Sequence, residues 1–182
     1  MRIAAWNLCL ALGLGLAACG DDAPVPPPRA AAVATAAAPS FVADHGDGAR
    51  VLLREAELTA DRLVLDVVAS ATGALHGASF RLTFDPAVVA YSGFAAGSSF
   101  GGSDIVLAKE AKPGLVVLAF SKLGAATPVD LDGGERVLAT LTFAKVAAGQ
   151  SRIAWTAARS RLADPAGKTI AVAFLGGTVT YP

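Results

Sequence analysis

Apolar and polar residues alternate in short runs through most of the chain. Leu63, Leu65 and Val67 interleave with Val64, Asp66 and Val68, and Phe80, Leu82 and Phe84 interleave with Ser79, Arg81 and Thr83. A period of two puts successive side chains on opposite faces of an extended backbone, so each run predicts a strand with one buried face. The same reading predicts strands at 50–58, 88–94, 104–110, 115–121, 136–146, 151–157, 169–175 and 178–181. Within 136–146, Val137, Ala139, Leu141 and Phe143 are expected on one face, with Leu138, Thr140 and Thr142 on the other. Turn-forming residues punctuate the runs: Gly73, Gly77, Gly101-Gly102, Pro113-Gly114, Asp132-Gly133-Gly134, Gly149 and Asp164-Pro165. About nine short strands with no long helical pattern predict an all-β fold. The form expected is a two-sheet β-sandwich, each sheet burying its apolar face against the other.

The N-terminal stretch breaks this pattern. Arg2 precedes an uncharged run from Ile3 to Ala18 that ends in Leu16-Ala17-Ala18-Cys19-Gly20. The run is shorter than the roughly 20 apolar residues a spanning helix needs. Its layout is that of an exported signal peptide, and its end resembles the lipobox of bacterial lipoproteins. Small residues before the cut admit an extended backbone to the peptidase, and the thiol after it accepts a diacylglycerol. The expectation is a signal peptide at 1–18 and lipidation of Cys19, hence a membrane partner through a lipid anchor. Gly20 follows Cys19 and the aspartates start at Asp21, an order that favours the outer over the inner membrane, facing either the periplasm or the exterior. Residues 19–45 read as a lipidated N-terminus followed by a disordered tether: Pro24 to Pro28 favours polyproline II, and the Ala30–Ala38 run is too short for a stable isolated helix. The folded domain is expected at 46–182.

Cysteine and charge narrow the function. Cleavage would remove Cys9 and leave Cys19 alone, so no internal disulfide can form and stability must come from the core. Without Arg2 the chain carries 14 basic and 15 acidic residues, a formal charge of −1. No basic block is present, which argues against a nucleic-acid partner.

The strand order and connecting motifs resemble a cohesin domain, a jelly-roll module related in fold to some carbohydrate-binding modules. The resemblance runs through Leu63-Val64-Leu65-Asp66-Val67, then Ala78-Ser79-Phe80-Arg81-Leu82-Thr83-Phe84-Asp85-Pro86 with its aromatic-Asp-Pro step. It continues through Gly114 to Phe120, the Asp132-Gly133-Gly134-Glu135 turn leading into Arg136–Val146, and the closing Gly176-Gly177-Thr178-Val179-Thr180. It spans roughly 50–182 and implies a cohesin-like jelly roll of about nine strands that binds a partner through a sheet face. The partner it implies is a protein, dockerin-like or other; a glycan is the alternative. No duplicated calcium loop of the dockerin kind occurs in the chain.

The residues offer little for catalysis or cofactors. His45, in Asp44-His45-Gly46-Asp47-Gly48, matches neither an EF-hand loop nor a zinc spacing and reads as a turn; His76 reads as a surface turn. Ser70, Ser79 and Ser121 lack a nucleophile elbow, and Asp130 and Asp132 flank a Gly turn where Asp serves local hydrogen bonding. No catalytic residue, cofactor or metal ligand is expected. Trp155 shares parity with Ile153 and is expected in the core, not on a sugar-binding platform. Ser92–Ser103 reads as a flexible Gly/Ser-rich loop with some capacity for partner recognition.

Overall fold

The computed structural model describes residues 37–182 apart from 72, 102, 103, 125 and 133. The expected signal peptide, Cys19 and most of the expected tether therefore lie outside the described residues. In chain order the strands are β1 (Ser40–Ala43), β2 (Arg50–Leu58), β3 (Arg62–Ser70), β4 (Ala74–Leu75), β5 (Gly77–Thr83), β6 (Val89–Ala96), β7 (Ile105–Lys112) and β8 (Leu115–Ser121). They continue with β9 (Val129–Asp130), β10 (Arg136–Lys145), β11 (Gly149–Trp155), β12 (Arg161–Ala163), β13 (Thr169–Ile170), β14 (Ala173–Leu175) and β15 (Gly177–Tyr181). Nine of them have five or more residues, and the helical content among the described residues is one 3-10 turn, Ala157–Arg159.

The strands form two main sheets. One has eight strands: β1, β15, β11 and β5 run side by side, β12 and β13 extend from β5 on the β11 side, and β8 then β7 extend from its other edge. The second runs β14-β2-β3-β10-β6, with β14 parallel to β2. The alternation read from the sequence sets which face each strand buries. In β5, Ala78, Phe80 and Leu82 point inward; in β8, Val116, Leu118 and Phe120 do; in the opposing sheet Val51, Leu53, Leu63, Leu65, Leu141 and Phe143 meet them. Phe80 sits at the centre, its ring 5.3 Å from Trp155, 6.1 Å from Phe120 and 6.2 Å from Phe174. These tilted and edge-on contacts are the favoured aromatic geometries.

Four features depart from the sequence reading. Strand β1 lies inside the segment expected to be tether, pairing with β15 from Ser40↔Thr180 to Ala43↔Gly177; four residues carry too little alternation to announce a strand. The expected strand 169–175 is two strands in different sheets, since β13 pairs with β12 and β14 with β2. In β10 a register shift between Val137 and Ala139 turns Leu138 inward, so that Leu138, Ala139, Leu141 and Phe143 are all buried while Val137 is not. The Gly/Ser-rich stretch is largely ordered: β6 reaches Ala96, Gly97 donates to the Leu138 carbonyl at 2.9 Å, and Phe100 is buried 5.2 Å from the Phe120 ring.

Candidate functional site

Four strands present one broad outer face. Register aligns Ile105, Ser121, Gly77 and Ala163 in a row across β7, β8, β5 and β12, and Leu107, Ala119, Ser79 and Arg161 in the next. A third row runs Lys109, Val117 and Arg81. Because the alternate residues of β5 and β8 are committed to the core, these side chains have no course but outward. Ile105 and Leu107 are 49% and 50% exposed. Small residues at the centre, Gly77, Ser79, Ala119 and Ser121, keep the middle of the face low.

Two shallow depressions lie on this surface. One, of about 340 Å³, is lined by His76, Gly77, Ser121, Arg161 and Asp164 among others. The second, of about 440 Å³, is lined by Ser79, Val117, Arg81, Arg159 and Arg161 among others. Between β11 and β12 the chain leaves the edge of β5, and Ser160 bridges the break by accepting the Arg81 amide at 3.1 Å and donating to the Thr156 carbonyl at 3.0 Å. That bond fixes the 3-10 turn, and with it Arg159, beside the sheet.

The polar groups at the first depression are already engaged. Ser121 Oγ donates to the Lys122 carbonyl at 3.1 Å, and Asp164 Oδ1 accepts the Ala166 and Lys168 amides at 2.9 and 2.8 Å. The His76 backbone ties β12 to the loop after β8, donating to Ala163 and accepting from Lys122, both at 2.9 Å. A nucleophile held by a base and an orienting acid would need these side chains on one another.

Two buried or half-buried ion pairs brace the face. Asp104, 5% exposed, takes the Lys122 ammonium at 2.8 Å, and that same ammonium also donates to the Ser99 carbonyl at 2.8 Å. The Lys122 bond, with the Gly101 amide, holds the Asp104 carboxyl below its ordinary range. This clamp joins Ser99, inside the stretch expected to be a flexible Gly/Ser-rich loop, to the start of β7, the strand expected at 104–110; the isolated Lys122 and Asp104 carry no spacing signal. At the far edge Asp44 binds the Arg152 guanidinium and accepts the Gly176 amide at 2.9 Å. Arg152 is the main reason the Asp44 carboxyl sits below its usual range. Asp44 thus ties the end of β1 to β11 and to the turn before β15. No group of three or more His, Cys, Asp or Glu side chains is placed to hold a metal among the described residues.

Trp155 takes the place expected of it. Its indole Nε1–H donates to the Leu175 carbonyl at 2.9 Å and its ring packs on Phe80 and Phe174, on the inner side of the sheet. Asp130 and Asp132 serve their turn, Asp130 accepting the Asp132 amide at 2.9 Å and Asp132 the Gly73 amide at 2.8 Å.

Comparison with solved structures now places this architecture. The sixth cohesin of scaffoldin B from Acetivibrio cellulolyticus, solved in complex with a Cel5 dockerin, aligns with a TM-score of 0.62 at 16% identity, covering 72% of this chain and 97% of that one. The fold is that of a cohesin module. CaCohA2 from Clostridium acetobutylicum gives a TM-score of 0.59 at 18% identity over 74% of this chain and 90% of its own. A non-cellulosomal cohesin from the archaeon Archaeoglobus fulgidus gives 0.52 at 10% identity over 78% and 89%. No protein-family model matches the chain, and no curated relative does. Strand β1 belongs to the same eight-stranded sheet through its pairing with β15.

Proposed function

We propose that this chain is a lipid-anchored, non-catalytic protein of the bacterial envelope whose cohesin-like domain binds another protein. The observation that carries the reading is the outer face of β5, β7, β8 and β12, where half-exposed Ile105 and Leu107 stand on the same sheet face as two shallow depressions. Exposed apolar side chains next to polar ones on a rigid sheet suit a protein partner. One of the fold's neighbours was solved bound to a dockerin, which supports the class of partner without naming it. The inward Trp155 speaks against a sugar platform on this domain.

The anchor rests on Cys19 and the stretch before it. One acyl chain gives marginal membrane attachment, whereas the multiple acylation of a lipoprotein gives a stable one. The residue after Cys19 favours the outer membrane. Two measurements test the proposal. The full chain should partition with outer-membrane fractions and Cys19→Ala should release it. Envelope extract from the producing cells, passed over the immobilised full chain, should lose a protein that the Ile105→Asp/Leu107→Asp variant does not retain. Equal retention by both, or binding of free glycans in its place, overturns the binding reading.

A further inference from the structure

Charge is sorted unevenly over the molecule, and that sorting speaks to the partner's chemistry. Arg50 and Arg54 hold Glu135, Arg62 holds Glu57, Arg152 holds Asp44 and Lys122 holds Asp104. On the outer face of β5, β7, β8 and β12 the cations Arg81, Arg159, Arg161 and Lys109 make no ion pair among the described residues. The nearby carboxylate, Asp164, accepts the amides of its own turn.

Arg81, Arg159 and Arg161 line a single open depression. Three like charges around one concavity repel each other, and an anionic guest relieves that repulsion. Planar guanidinium forks match carboxylates in bidentate geometry better than they match diffuse charge. Lys109 faces Arg81 across Val117, and the apolar Leu107 and Ile105 continue the same edge. Charge and apolar surface are therefore adjacent. A flat lipid headgroup layer does not reach into a depression, whereas an acidic side chain does.

Taking the binding reading above as its base, we infer that this face docks a protein segment bearing carboxylates beside an apolar strip. The acidic side chains enter the arginine-lined depression and the apolar ones pack on Ile105 and Leu107.

The test uses the full chain and three helical peptides of one pattern, with Leu on one face and Glu, Gln or Lys on the other, followed by fluorescence anisotropy. The Glu peptide should bind about tenfold tighter than the Gln peptide, a difference of about 1.4 kcal/mol, and the Lys peptide weakest. In the Arg81→Glu/Arg159→Glu/Arg161→Glu chain the order should invert, the Lys peptide becoming the tightest. Inversion is a gain that a misfolded variant cannot give. Should Glu and Gln peptides bind alike, and both weaken in Ile105→Asp/Leu107→Asp, the face is a docking surface but its acidic preference is wrong. Should no peptide bind, or none respond to either variant, both readings fail. A final arm presents Cys19→Ala chain to phosphatidylcholine vesicles with and without phosphatidylglycerol. Arginine-dependent binding to the anionic vesicles, with no preference for the Glu peptide, assigns the face to membrane and overturns the inference.

Discussion

At Gly97 an added Cβ would lie 2.0 Å from the Val137 carbonyl oxygen and 2.7 Å from its carbon, where β6 ends against the bulge in β10. Both neighbours are backbone, so the strand itself would have to move. Gly97→Ala should therefore cost about 1–3 kcal/mol, the range for forced overpacking, measured by urea unfolding; a loss under about 0.5 kcal/mol would show that the bulge is soft. Asp44 makes a second residue-scale case. Its carboxyl titrates below the ordinary value of 3.8, chiefly because Arg152 donates to it. The folded-state pKa is lower than the unfolded one, so the contribution is present above about pH 4 and lost as pH falls through the folded value. Asp44→Asn should melt below the parent at pH 7, and the gap should close as the pH is taken down towards 2. A gap that is constant with pH would mean the pair contributes through geometry alone.

Strand β1 shows what an element gains from its neighbours. Phe41 packs over Gly177, whose absent Cβ would fall 2.2 Å from the ring, and Asp44 closes the strand's end on Arg152 and Gly176. Phe41→Ala should raise hydrogen exchange at the β15 amides that face β1 while leaving β3 and β10 protected; uniform protection would place β1's stability elsewhere. The strong strands were legible because each couples a period-two run to turn residues: β5 with Asp85-Pro86 after it, β8 after Pro113-Gly114. Strand β1 was not, because its partner β15 lies at the other end of the chain and four residues hold no pattern of their own. Val137 and Leu138 misled for a different reason, since a bulge resets parity without a local signal. The outer face shares this limit. Ile105 and Leu107 look like any strand residues, and Arg81, Arg159 and Arg161 are spread over 81 positions of sequence in three elements; only β12's return to β5 brings them to one depression.

For the whole molecule, the two sheets differ in what they present outward. On the β2-β3-β10 side Arg54, Asp66 and Thr140 satisfy one another, with Asp66 accepting Thr140 Oγ1 at 2.9 Å and Arg54 at 3.5 Å. On the β5-β7-β8-β12 side Arg81, Arg159, Arg161 and Lys109 make no ion pair among the described residues, and Ile105 and Leu107 are half-exposed. Substituting the latter should separate stability from binding: Ile105→Asp/Leu107→Asp should unfold within about 0.5 kcal/mol per substitution of the parent, as exposed positions do, while losing the partner. A large loss of stability in that variant would instead make the face part of the core.

The most direct test of the binding account is photo-crosslinking in the producing cells, with benzoylphenylalanine placed at Leu107 or at Thr142, which lies on the outer face of the opposite sheet. The account predicts a discrete protein adduct from position 107 and none from position 142. Adducts that are the same from both positions, or present from 142 alone, would contradict it.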